Sequence, residues 1–167
     1  MIARYRFLPP VYLVEDRIGT ANARHDLFGV RIWKHLSEFE AVLAQEVYEW
    51  RFLRLRGLIL MLPIFGLFAV VEGPAIVLLA PLLLAAHLSP KLYRPWHRLM
   101  ELRGHMIEVL VAVDRYGANF ETKLANEAAV LTGYEQFRGW DAGRIATAML
   151  AERSVCERWL RSRSVRT

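Results

Sequence analysis

Between Gly57 and Leu88 the chain contains no Lys, Arg or Asp, and its one acidic residue is Glu72, inside Val71-Glu72-Gly73-Pro74. A single helix over that stretch would be about 48 Å long, well beyond a hydrocarbon core of about 30 Å. Two antiparallel helices fit better. Gly73-Pro74 ends one arm and opens the next, with proline at its tolerated first-turn position. Each arm is shorter than the roughly 20 residues of a comfortable span, so it recruits neighbours, thins the bilayer or stops part-way as a re-entrant hairpin. Phe52, Leu53 and Leu55 extend the first arm while Arg51, Arg54 and Arg56 snorkel. Pro63 and Pro81 are expected to kink the arms. Arg51, Arg54 and Arg56 flank one end and Lys91, Arg94 and Arg98 the other, whereas the turn has no basic residue. The positive-inside rule then places both termini in the cytoplasm and the protein in the membrane. A buried helical hairpin of a water-soluble protein is the alternative.

A chain of 167 residues holds one modest domain, since a second independent core would leave too little chain for either. Formal charge is +5. Much of the excess sits in Arg153, Arg158, Arg161, Arg163 and Arg166, where few aromatics are interleaved, so the expectation is a basic tail near anionic lipid head groups rather than a nucleic-acid surface. The single cysteine, Cys156, forms neither an internal disulfide nor a metal cluster. Arg4, Arg6 and Pro9-Pro10 stand where a signal peptide needs an apolar core, so no cleaved signal is expected.

Arg4 to Leu8, Val11 to Val14 and Leu27 to Trp33 read as short strands, giving a small antiparallel element within residues 1–35. Ser37 with Glu40 three residues later forms a capping box, and an amphipathic helix through Phe39, Val42, Leu43, Val47 and Trp50 fills 37–56 and runs into the hairpin at 57–88. In the cytoplasmic region 89–167, Ser89-Pro90 and Pro95 mark a break. Helices follow from Trp96 to Tyr116, Asn119 to Leu131 and Ala142 to Leu160, with a turn region from Gly133 to Gly139. The expected fold class is mainly α: a membrane-inserted helical hairpin and cytoplasmic helices, with a small N-terminal antiparallel β element. The five tryptophans, Trp33, Trp50, Trp96, Trp140 and Trp159, read as interface or core anchors.

Two of these helices carry polar side chains at metal-ligand spacing. Gln45 and Glu49 share a face one turn apart, with Glu46 beside them. His97, Glu101, His105 and Glu108 fall on one face of the helix after the hairpin, and the hairpin folds the two helices back beside each other. Carboxylates and imidazoles converging between helices bind zinc or iron. Equally, they form a polar packing seam with arginines such as Arg98 and Arg103. No nucleophile elbow, phosphate-binding loop or dinucleotide-binding glycine loop is present.

The order of features from Gly19 to Glu108 resembles the minigluzincins, small zincin-fold metallopeptidase-like proteins of bacteria and phages. The resemblance rests on Gly19-Thr20, an edge strand at Gly29-Val30-Arg31-Ile32-Trp33, the helix segment Gln45-Glu46-Val47-Tyr48-Glu49-Trp50, an apolar connector, and Glu101-Leu102-Arg103-Gly104-His105-Met106-Ile107-Glu108. It implies that Glu46 is the catalytic general base. Gln45 and Glu49 stand where the family's His-Glu-x-x-His motif has its histidines, so the metal site is either lost, leaving an inactive relative, or rebuilt for zinc from Glu49, Glu101 and His105.

Three functions are compatible with the sequence. The leading one is a non-enzymatic accessory or assembly subunit of a larger complex, anchored in the lipid bilayer and held to protein partners or to a second copy through the hairpin. A membrane-bound zincin-like metal hydrolase is the second, and a phage holin-like protein the third. Arms without polar lining argue against a channel or carrier.

Overall fold

The computed structural model describes residues 11–14, 23–25, 29–70 and 90–163. Three short strands, β1 (Val11–Val14), β2 (Ala23–His25) and β3 (Val30–Trp33), precede four helices: α1 (Phe39–Val70), α2 (Pro90–Tyr116), α3 (Phe120–Leu131) and α4 (Ala142–Arg161). A single 3-10 turn, Glu135–Phe137, links the last two. The protein is mainly α, as its sequence indicates.

The sheet is mixed, which corrects the expectation of an antiparallel element. β3 is central, antiparallel to β2 and parallel to β1. Ala23-Arg24-His25 carries none of the β-branched or aromatic residues that mark strands, so β2 is silent in the sequence. A connection of four residues returns β2 against β3 as an antiparallel pair, and β1 takes the opposite edge. Arg4 to Leu8 and residues 27–28 lie outside the described residues.

The first half of α1 is buried on two sides. Leu43 and Val47 pack on the inward residues of β3, Val30 and Ile32, which alternate with exposed Arg31. Ala41, Ala44 and Tyr48 face the helical core with Met106, Ile107, Val109 and Ala112 of α2. The capping box is not what starts this helix. The Glu38 carbonyl accepts from the amides of Ala41 and Val42, and the Glu40 amide donates to the Tyr116 hydroxyl at the far end of α2. A tertiary contact thus does the work assigned to Ser37.

The helix continues without a break from the amphipathic segment into the apolar one as far as Val70, the last described residue before 71–89. From Gly57 onward that is about 21 Å of helix. Among the described residues, no helix is long and apolar enough to cross a membrane. The turn and second arm, residues 71–88, lie outside the described residues.

α2 begins at Pro90, earlier than the Trp96 start expected. Proline at a helix's first position forfeits no bond, and Pro95 is accommodated inside the helix at the loss of one. Gly117, at φ +67°, ends it. The next two starts are legible in the sequence. The Asn119 side chain accepts from the Thr122 amide at 3.0 Å, and Asp141 accepts from Arg144 at 2.7 Å. Gly139, at φ +83°, closes the turn before α4.

α4 is fixed to the bundle by Ile145, Met149 and Cys156, by an Arg103–Glu152 bond of 2.7 Å, and by Trp159 set edge-on against Tyr48. Trp140 is held between the Arg98 and Arg144 guanidiniums, at 4.6 and 4.1 Å from the ring centre. The Cys156 thiol donates to the Arg103 carbonyl, and burial pushes its pKa up to about 12. The thiolate is the reactive form, so native protein at pH 8 is expected not to reduce Ellman's reagent, whereas urea-unfolded protein releases one equivalent. Rapid native reaction would mean that α4 lifts off α2.

Candidate metal centre

The four residues singled out from sequence, Glu46, Glu49, Glu101 and His105, are all buried and lie between α1 and α2. The packing of these two helices explains how. Gly104 stands where α2 approaches α1, and the Glu49 carboxylate occupies the space that a side chain at 104 would fill. Without a glycine there, the Glu49 carboxylate could not hold this position against α2. The Gln45 amide donates to Glu49 Oε1 at 2.9 Å, so the glutamine acts as a hydrogen-bonding neighbour of the carboxylate.

Burial, followed by the charges of Glu101 and Glu46, raises the Glu49 pKa well above the usual carboxylate range. Burial and then the charges of Glu101, Glu49, Glu46 and Glu127 push the Tyr134 hydroxyl up to about 12, so this phenol stays protonated and able to donate. Tyr134 sits edge-on to the His105 ring, centroids 5.9 Å apart.

His105 has two dissimilar nitrogens. Nδ1 lies 2.7 Å from Glu127 Oε2 on α3. Nε2 has no hydrogen-bond partner and lies 3.8 Å from Glu101 Oε2. The other Glu101 oxygen is 3.3 Å from His97 Nε2. A carboxylate holding one imidazole nitrogen while the other is presented to a second carboxylate is the arrangement that orients a metal-ligating histidine. Two ligand bonds of roughly 2.1 Å can reach across 3.8 Å. One nitrogen and two or three carboxylate oxygens suit zinc, iron or manganese. His105 and Glu101 thus stand at a distance that a shared divalent ion would span, whereas the three side chains whose ligand atoms fall together among the described residues are His105, Glu108 and Glu127, not the Glu49, Glu101 and His105 set expected from sequence. Burial alone would lower the His105 pKa, but the bond and charge of Glu127, with Glu108 and Glu101 behind them, raise it. A proton thus competes for the position an ion would take.

A second group, unforeseen in the sequence, adjoins the first. Lys123 Nζ lies 2.7 Å from Glu38 Oε2, 2.9 Å from Glu108 Oε1 and 2.9 Å from Glu127 Oε1. Glu127 therefore bridges Lys123 and His105. Burial would raise its pKa, yet the bonds from His105 and Lys123 hold it down to about 2. Glu108 moves the other way: burial and the Glu127 charge raise it, against the pull of Lys123. One atom from each of His105, Glu108 and Glu127 falls within 4.8 Å of the others.

An open cleft of about 440 Å³ leads to this region. Glu46, His105, Glu108, Lys123, Glu127 and Tyr134 line its polar side, with Leu36 and Val42 on the apolar rim; Glu49 and Glu101 do not line it. Glu38, Lys123, Glu127 and Tyr134 are the residues that sequence reasoning passed over. One signal was there to read: Glu127 interrupts the Leu124, Ala128, Leu131 stripe of α3, and a carboxylate on a buried stripe needs a partner. Comparison with protein-family models, with curated proteins and with solved structures finds no match for this chain.

Proposed function

We propose that this chain is a membrane-associated, metal-dependent hydrolase whose ion is held by Glu49, Glu101 and His105. The observation that carries the reading is the buried Nε2 of His105, without a hydrogen-bond partner and turned toward Glu101 while Glu127 fixes Nδ1. A bound divalent ion supplies Lewis acidity, lowering the pKa of water and polarising a carbonyl. The chain's own groups supply the rest. Glu46, on the cleft wall one residue from Gln45, takes a proton from water as general base. Glu127 holds the imidazole in one tautomer and orientation. Tyr134, protonated across the working range, donates to a developing negative charge in the cleft.

The apolar stretch 57–88 belongs, in the same reading, at the membrane as a hairpin with both termini cytoplasmic. Support comes from the continuous run of α1 to Val70 and from the arginines at 51, 54 and 56. The described residues give about 21 Å of the first arm, from Gly57 to Val70, and the reading takes the arms either as spans or as a re-entrant hairpin.

The replaced histidine positions, Gln45 and Glu49, favour a second reading: a non-catalytic accessory subunit in which the same cluster is a polar packing seam. Elemental analysis of detergent-purified protein separates the two. One equivalent of zinc, manganese or iron is expected, falling to background in His105→Ala. No metal in the wild type sinks the hydrolase proposal and leaves the accessory subunit.

A further inference from the structure

Helix α1 runs into the apolar stretch and α2 starts where that stretch ends, so one end of the bundle carries the side chains that flank it. On α1, Arg54 is exposed, three residues ahead of Gly57, and its guanidinium lies 4.3 Å from the centre of the Trp50 ring. On α2, Trp96 is 44% exposed and the Arg94 side chain 53%. Phe52 meets Trp96 across the two helices, ring centres 5.7 Å apart, so these residues stand at one level. Between Trp50 and Trp96 the sequence holds five lysines and arginines and a single acid, Glu72. The Arg94 guanidinium is paired with Glu135 at 3.2 Å, but that carboxylate is 81% exposed, and an ion pair so open to water contributes little.

We propose that this rim sits in the headgroup layer of an anionic phospholipid bilayer, with Arg54 and Arg94 on lipid phosphates and Trp96 at the boundary with the acyl chains. The proposal rests on the membrane placement of residues 57–88 and is independent of the metal. Indole, an apolar ring with one N–H donor, suits the layer where acyl chains meet water. Arginine reaches phosphate oxygens through several N–H groups while its stem lies along apolar surface. An excess of basic residues beside the hydrocarbon favours lipid of net negative charge. Continuity with the apolar stretch argues for lipid over an acidic protein, since α1 is unbroken from Arg54 to Val70. The rim also sets the height of the cleft. Measured along the helices, Glu46 lies about 12 Å from Arg54 and His105 about 13 Å from Trp96, more than the roughly 5–8 Å depth of one headgroup layer. The cleft is therefore held in water beside the membrane, where it meets segments that stand clear of the bilayer rather than the lipid esters.

The test reads tryptophan fluorescence of the full chain reconstituted in phosphatidylcholine vesicles that contain increasing fractions of brominated phosphatidylglycerol or brominated phosphatidylcholine, with the bromines high on the acyl chains. Brominated phosphatidylglycerol is expected to quench at a lower mole fraction, by up to about five-fold, the effect of one basic residue near such a surface. Trp96→Phe should remove the larger part of the quenching by either lipid. Arg54→Gln/Arg94→Gln should abolish the preference for phosphatidylglycerol and leave quenching by brominated phosphatidylcholine unchanged, as should about 1 M salt, where the screening length falls to about 3 Å. All three side chains are exposed, so the substitutions leave the core intact. Equal quenching by the two lipids, a preference that survives the double substitution, or quenching indifferent to Trp96→Phe overturns the proposal. The two failures are distinct. A chain recovered free of vesicles on flotation overturns the membrane placement and this proposal with it, whereas a chain that incorporates without a lipid preference overturns this proposal alone.

Discussion

Replacing Glu127 by alanine is expected to destabilise the fold by roughly 3–5 kcal/mol, the range found when one partner of a buried charge pair is removed. Its side chain is only 10% exposed and answers two cationic groups at once, His105 at 2.7 Å and Lys123 at 2.9 Å. Lys123 retains Glu38 and Glu108 after the change. His105 does not fare so well, because both of its nitrogens are then buried without a hydrogen bond. Most of the loss should therefore trace to the imidazole, and His105→Ala in the Glu127→Ala background should cost less than it does alone. Urea unfolding followed by circular dichroism reads all four corners of that cycle. A loss below about 1 kcal/mol for Glu127→Ala would show that the pair is open or solvated in solution.

Glu127→Gln refines the same result. Its amide keeps the shape and one acceptor, so packing survives while the counter-charge is lost. Stability should fall less than in the alanine variant, but metal affinity should still drop about 10- to 100-fold, as it does when a second-layer carboxylate is removed from a ligating histidine. A variant that loses stability with no change in metal affinity would assign Glu127 to the fold alone.

Much of this molecule is legible in its sequence, and the parts that are not share a cause. Helices α3 and α4 announce themselves through Asn119 and Asp141 at their starts and through apolar spacing along their lengths. Glu46, Glu49, Glu101 and His105 could be named because helical periodicity places them on faces that the apolar connector folds together. What periodicity cannot reveal is the third helix against that face. The pairing of Lys123 and Glu127 looks like an ordinary surface i,i+4 pair until α3 is laid over His105, and Glu38 reaches Lys123 across 85 positions of sequence. Gly104 stands in plain view between Glu101 and His105, but its meaning is tertiary: it matters for what Glu49 occupies, not for its own backbone. Strand β2 was missed for a similar reason, since its residues have little strand preference and are recruited by β3. The Ser37 cap failed because Tyr116, from the far end of α2, reaches the first turn of α1.

The metal-free chain should be more stable at pH 5 than at pH 8, against the usual preference of a basic protein for neutral conditions. Three groups at the centre have folded pKa values above their unfolded ones: Glu49 and Glu108, raised first by burial, and His105, raised by Glu127 in spite of burial. A raised group contributes stability that is fully present below its unfolded pKa and is lost as pH climbs through the folded value. For the two glutamates that loss begins above about pH 4.5 and for the histidine above about pH 6.5, so all three act in one direction between pH 5 and 8. Glu127 acts oppositely, but its pKa of about 2 confines its effect to pH below about 4.5, where stability should fall again. Lys123 and Tyr134 also border His105 in the cleft, but both titrate above this range. For a chain of this size each kcal/mol shifts the melting temperature by roughly 2–4 °C, so a descent from pH 5 to pH 8 is readily seen by thermal melting in chelator. A saturating divalent ion should flatten or reverse the trend, because it supplies at pH 8 the positive charge that protons supply at pH 5 and is itself displaced as they return. A metal-free melting temperature that rises from pH 5 to pH 8 would mean that Glu49 and Glu108 are ionised in the folded chain and that burial does not hold their protons.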